Sequence, residues 1–227
     1  MPRRFIPLVT NSIYHVYNRA IDGRVIFKNR LEYEHAIMCF SYYLNASATP
    51  KLSTFLKFSA NTQLNILDRF KKENKKLVMP IAFCLMPDHF HFLLMQNMDS
   101  GISKFAANFQ NSYTKYFNTK YERLGPILLP RFKAVKIESE NQLLHVSRYI
   151  HLNPYSSKLV KTLDELIQYP WSSLAEYLSP DKASNPICDK RVILQHFKKI
   201  KRYKDFIFNQ AGYQKSLKQI RNALLEH

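Results

Sequence analysis

Two apolar runs with two residues between them constrain this chain more than any other feature. Leu77 to Met86 is almost wholly apolar, Pro87-Asp88 follows, and His89-Phe90-His91-Phe92-Leu93-Leu94-Met95 is apolar apart from its histidines. Runs of this length, closed by turn residues, predict a β-hairpin. The first run reads as a central strand, with Pro80 near its start, where a missing N–H is tolerated.

The rest of the chain supplies helices and two further strands. Ser12 to Asn18 alternates and reads as a strand, and Ile21 to Arg24 reads as a turn. Asn29 can cap a helix over residues 30–43. A helical pattern runs through Phe55, Phe58, Leu64, Ile66, Leu67 and Phe70 and ends in the charge run 71–76. Ser100 or Ser103 can start a helix that reaches about Tyr121, and Gly125-Pro126 breaks it. Phe132 to Glu138 alternates again, and Glu140 to Leu152 reads as a helix closed by Asn153-Pro154. Strands separated by helices around one hairpin predict an α+β fold. Its form is a ferredoxin-like, split-βαβ sandwich with a mainly antiparallel central sheet and helices on its faces. A loop near residues 178–188 separates a domain over 1–178 from a basic helical C-terminal extension over 179–227. Short helices are expected there at 191–201, 202–210 and 214–225.

Charge then points to a partner. Lys and Arg number 34 against 17 Asp and Glu, a net charge of +17 over 227 residues. Such an excess calls for a polyanion. No stretch approaches the ~20 apolar residues of a membrane span, and no apolar run follows Arg3-Arg4 as a signal peptide requires. The basic residues are interleaved with 14 Tyr and 16 Phe, a mixture suited to single-stranded nucleic acid, although most Phe serve a core equally well. Cys39, Cys84 and Cys188 are scattered and contain no CxxC, which disfavours a zinc ribbon or a disulfide framework and fits a reducing cytoplasm.

Two local patterns carry chemistry. On a strand, His89 and His91 point to one face while Phe90 points to the other. Two imidazoles side by side form half of a metal site, or else a pair of half-exposed sheet histidines. On a helix, Tyr149 and Asn153 are four residues apart and share a face, offering a nucleophile and an oxygen ligand, or simply a helix end. His151 lies about 200° around that helix from Tyr149 and is not expected to join them, while His145, one turn before Tyr149, is an outside candidate. Tyr113 and Tyr116 are rival nucleophiles.

Over residues 10–178 these pieces, in order, resemble the single-tyrosine transposases with a histidine–hydrophobic–histidine motif, and especially the REP-associated tyrosine transposase branch. The resemblance rests on Tyr14-His15-Val16 with Asn18-Arg19, Met86-Pro87-Asp88-His89-Phe90-His91 and Tyr113-Thr114-Lys115-Tyr116-Phe117-Asn118. It continues through Arg131-Phe132-Lys133, Arg148-Tyr149-Ile150 with Leu152-Asn153-Pro154, and Tyr169-Pro170-Trp171-Ser172-Ser173. One departure is Leu128-Leu129-Pro130, where relatives often carry an aromatic before the Arg-Phe pair.

The resemblance implies His89, His91 and Asn153 as ligands of a divalent metal, Mg²⁺ or Mn²⁺, and Tyr149 as the nucleophile. It implies cleavage and rejoining of single-stranded DNA beside hairpins through a 5′-phosphotyrosine. Arg19, Arg24, Tyr113, Lys115, Tyr116, Lys120, Arg123, Arg131, Lys133 and Arg148 are the corresponding candidates for DNA contact. A monomer or homodimer in the cytoplasm is expected. Two other readings are an inactive hairpin-binding protein on the same fold and a metal-dependent hydrolase. The latter would want more acidic ligands than Asp88, which a strand beginning there would turn to the opposite face.

Overall fold

The computed structural model describes residues 7–178, 186–209 and 211–212. The first strand, β1 (Ile13–Arg19), leads through a 3-10 turn to α1 (Arg30–Tyr43), α2 (Leu52–Phe55) and α3 (Ala60–Glu73). The hairpin is β2 (Val78–Met86) and β3 (His89–Gln96), followed by α4 (Gly101–Lys120), β4 (Lys133–Lys136) and α5 (Glu140–Ser156). Four short helices complete the described chain: α6 (Leu163–Ile167), α7 (Leu174–Leu178), α8 (Arg191–Leu194) and α9 (Ile200–Phe208).

Local chemistry sets several of these boundaries. Asn29 accepts from the Glu32 amide at 3.3 Å and starts α1 where the sequence places it. Ser139 caps α5 the same way, through the Gln142 amide. Ser100 stands before α4 without a side-chain cap; Gln96 Oε1 instead accepts from the Ile102 amide at 3.1 Å. The helix starts hard against β2, since a Cβ on Gly101 would collide with the Leu77 carbonyl oxygen.

The sheet order is β2-β3-β1-β4 and every pairing is antiparallel. This is the split-βαβ, ferredoxin-like arrangement that the element order predicts. Helices α1 and α4 cover one face. There Phe40 meets Phe92 at 4.6 Å and Phe83 at 5.3 Å between ring centroids, and Phe109 meets Phe90 at 5.2 Å. Each fully buried ring contributes roughly 2–3 kcal/mol of burial. Helix α5 lies on the opposite face, against β2 and β3.

Three expectations need correction. The apolar strand β2 is an edge strand by hydrogen bonding, not a central one. It stays apolar because both its faces are covered and its outer edge is capped: Leu85 N donates to Trp171 O, and Ser173 N to Phe83 O. Helix α5 does not stop at Asn153-Pro154 but runs to Ser156, with the Ser157 amide closing on Asn153 O at 3.0 Å. The segment after residue 186 packs against the rest of the described chain. Ile193, Tyr203 and Ile207 are fully buried, and the Glu176 carboxylate accepts from the Ile187 and Cys188 amides. The helices it forms, α8 and α9, are shorter than expected; the one anticipated at 214–225 lies outside the described residues.

Candidate active site

The site forms on the sheet face beneath α5. Strand parity sends Phe90 and Phe92 toward α1 and α4, so His89 and His91 project to the other face. Antiparallel register sets Arg19 opposite His89 and Tyr17 opposite His91. Residues directly opposite share a face, so His15, Tyr17 and Arg19 join the two histidines. The His89 and His91 rings are 5.0 Å apart, and His15 and Tyr17 stack at 4.9 Å.

Helix α5 brings Tyr149 to this cluster. Its ring stands edge-on to His91 at 5.4 Å and to His15 at 6.0 Å. Asn153 follows one turn later, fully buried, with Oδ1 accepting from Ser157 Oγ at 3.2 Å. The rival tyrosines lie in the opposite layer. Tyr113 is fully buried and its hydroxyl donates to Ile26 O at 2.5 Å. Burial pushes its pKa far up, so it is neither a nucleophile nor a surface on which bases can stack. That corrects its assignment as a DNA contact. Tyr116 stacks on His35 at 3.7 Å, also away from the histidine pair.

Electrostatics around the pair are specific. Asp88 precedes the strand and turns toward His89, whose Nδ1 lies 2.6 Å from Asp88 Oδ1; it does not point to the far face. Burial raises the Asp88 carboxyl, but the His89 bond and the nearby Arg19 outweigh it and hold it below its ordinary value. Arg19 reaches Asp88 Oδ2 at 3.7 Å. Burial lowers the His15 pKa to about 4, so this ring is neutral near pH 7. His15 Nε2 and His91 Nδ1 are 2.9 Å apart.

The remaining histidines of α5 are engaged elsewhere. His151 is fully buried, bonded through Nδ1 to the Tyr203 hydroxyl and through Nε2 to Ser173 Oγ, each at 2.8 Å. His145 lies 2.5 Å from an Arg148 nitrogen and faces Phe206 of α9.

The candidate DNA contacts divide into groups. Arg19 and Lys133 share the face of the histidine pair, Lys133 standing opposite Tyr17 on β4. Arg24 and Arg131 are exposed. Lys115, Tyr116 and Lys120 line a groove outside α1 and α4 with His35, Lys51 and Lys57. Lys120 also pairs with the buried Glu32 at 2.7 Å. Arg123 donates to Asn118 Oδ1, and Arg148 stacks over the Phe206 ring at 4.4 Å, so both guanidinium groups have partners within the protein.

Sequence reasoning included His15 in a motif but gave it no place at the site, and it passed over Tyr17. The alternation of β1 puts both on one face; only the pairing of β1 with β3 brings that face to the histidines.

Residues 55–153 match the model of the family described as Transposase IS200 like. This segment is similar to IS200-like transposases. The match spans the histidine pair, Tyr149 and Asn153. A comparison with curated proteins gave no match. Among solved structures, the chain is similar to a REP-associated tyrosine transposase bound to a REP hairpin, at 15% identity and a TM-score of 0.53. The alignment covers 82% of this chain and 90% of that one, which supports the α+β fold. Among the described residues, no helix is long and apolar enough to cross a membrane.

Proposed function

We propose that this protein is a transposase that cleaves and rejoins single-stranded DNA beside hairpins, with Tyr149 as nucleophile. The observation that carries this reading is the Tyr149 ring beside His91 and His15, on the face that His89 shares. The family match and the hairpin-bound relative agree with it.

The residues also suit a divalent metal. Each histidine has its Nδ1 engaged, His89 by Asp88 and His91 by His15, an outer-shell pattern that orients imidazole ligands. His89 and His91, with Asn153, would hold Mg²⁺ or Mn²⁺, which would offset charge on the scissile phosphate. The protein's own groups do the rest. Tyr149 Oη attacks phosphorus; its proton leaves, and the O3′ departs as a hydroxyl, giving a 5′-phosphotyrosine. The reverse attack by a 3′-OH rejoins strands without an external energy source. Arg19 and Lys133, on the face of the histidine pair, and the exposed Arg24 and Arg131 would bind phosphates.

A covalent-trapping assay tests this. Labelled hairpin-bearing single strands, incubated with Mn²⁺ and then denatured, are expected to leave a protein–DNA adduct. Tyr149→Phe and a chelator should each abolish it. Tight hairpin binding without an adduct would favour the binding-only reading, and an adduct surviving Tyr149→Phe would move the nucleophile.

A further inference from the structure

The histidine pair is held from two sides by different chemistry. Asp88 supplies a carboxylate, which only accepts, so His89 carries its hydrogen on Nδ1 and keeps the Nε2 lone pair. His91 faces another imidazole. His15 Nε2 lies 2.9 Å from His91 Nδ1, with the rings 5.1 Å apart and 23° from parallel. One hydrogen lies between the two nitrogens, and its owner decides the chemistry. If His15 donates, His91 carries its hydrogen on Nε2 and that nitrogen is closed to a cation. If His15 accepts, His91 is the Nδ1–H tautomer and carries a lone pair on Nε2.

We propose that His15 is a positioning residue: its Nε2 accepts from His91 Nδ1–H and fixes His91 in the tautomer that can ligate a metal through Nε2. His15 thus does for His91 what Asp88 does for His89, with a neutral acceptor in place of a charged one. The assignment extends the metal reading given above and rests on it. The neutral partner has a chemical sense. It orients His91 without adding a second carboxylate, which would repel a phosphate brought to the same face.

The test has two arms. In the metal-free protein, long-range ¹H–¹⁵N spectra of labelled histidines report the tautomer of His91, with His91→Ala giving the assignment. Wild-type protein should show Nδ1–H. His15→Phe, which keeps a flat ring but accepts nothing, should lose that preference; His15→Gln, which restores an acceptor, should recover it. In the second arm, Mn²⁺ binding is read from the free-ion electron paramagnetic resonance signal. His15→Phe should weaken binding about 10–100-fold and His15→Gln only a few-fold. Circular dichroism melts confirm that both variants fold. An Nε2–H tautomer in the wild type, or Mn²⁺ binding by His15→Phe at wild-type strength, overturns the proposal. Absence of Mn²⁺ binding by wild-type protein overturns the metal reading instead, and the metal-free spectra then decide whether His15 sets the tautomer.

Discussion

Glu32 shows how a single side chain organises this fold far from the histidines. Its carboxylate is fully buried on α1 and accepts from the Lys28 amide, Lys120 Nζ and the Tyr121 hydroxyl. Burial raises its pKa, but those bonds outweigh burial and hold it below the ordinary glutamate value. It therefore stabilises the protein above its unfolded pKa and loses that effect as pH falls through the folded one. Glu32→Ala should cost about 2 kcal/mol by urea denaturation, because it removes the shared acceptor of the Lys28 amide, Lys120 Nζ and the Tyr121 hydroxyl; a loss under ~1 kcal/mol would show that water replaces the carboxylate freely. His35 makes a prediction of the same sign at higher pH. Burial lowers it to about 4 beneath Tyr116, in a groove that also holds Lys51, Lys57, Lys115 and Lys120. The unfolded chain takes up a proton near pH 6.5 and the folded one does not, so stability falls as pH drops from there toward 4. Between pH 7 and 5 the wild type should lose about 2 kcal/mol more than His35→Gln, read from paired denaturation curves. Equal losses would mean that His35 protonates in the fold.

Helix α5 is the element on which the proposed chemistry turns, and it is fixed by what packs behind it. Its site side carries Tyr149 and Asn153, while His151 ties it to Ser173 beside β2 and to Tyr203 of α9. Arg148, next to the tyrosine, stacks on Phe206 of the same helix. Helix α9 therefore braces the helix that carries Tyr149. Tyr203→Phe removes one hydroxyl and leaves a buried His151 nitrogen without that partner. A loss of about 1–2 kcal/mol is expected, together with slower adduct formation in the trapping assay. Unchanged melting and unchanged adduct yield would show that α5 is held without this bond. None of this bracing was legible in the sequence. Periodicity identified α5 and its face, yet a bond between residues 52 positions apart has no local signature. The capped edge of β2 escaped for the same reason. An apolar run shows that a strand is buried on both faces, not where it lies in the sheet.

At the scale of the molecule, what was legible and what was not divide along sequence distance. Strand parity placed His89 and His91 together and Phe90 apart, and the order of elements predicted the sheet. Both depend on neighbours along the chain. The partnership of His15 with His91 depends on strand pairing across 76 residues, and the burial of the C-terminal helices on packing across still more of the molecule. Composition misled there. Residues 187–209 carry many lysines, so the segment reads as a basic arm, but Tyr203 and Ile207, four residues apart on α9, bury one stripe and Ile193 of α8 is buried as well. A chain ending at Leu178 should thus fail in a particular way. It would uncover the backs of α5 and α7, expose His151 and leave the Glu176 carboxylate without the Ile187 and Cys188 amides. Burial of the three apolar side chains alone contributes about 5 kcal/mol, a large part of the ~5–15 kcal/mol that holds a folded domain together. The shortened protein should melt at least ~10 °C lower or aggregate, and lose hairpin binding and adduct formation together. If it instead keeps the full-length melting temperature and loses only DNA affinity, the C-terminal helices are a separable grip on DNA and the brace on α5 is not needed.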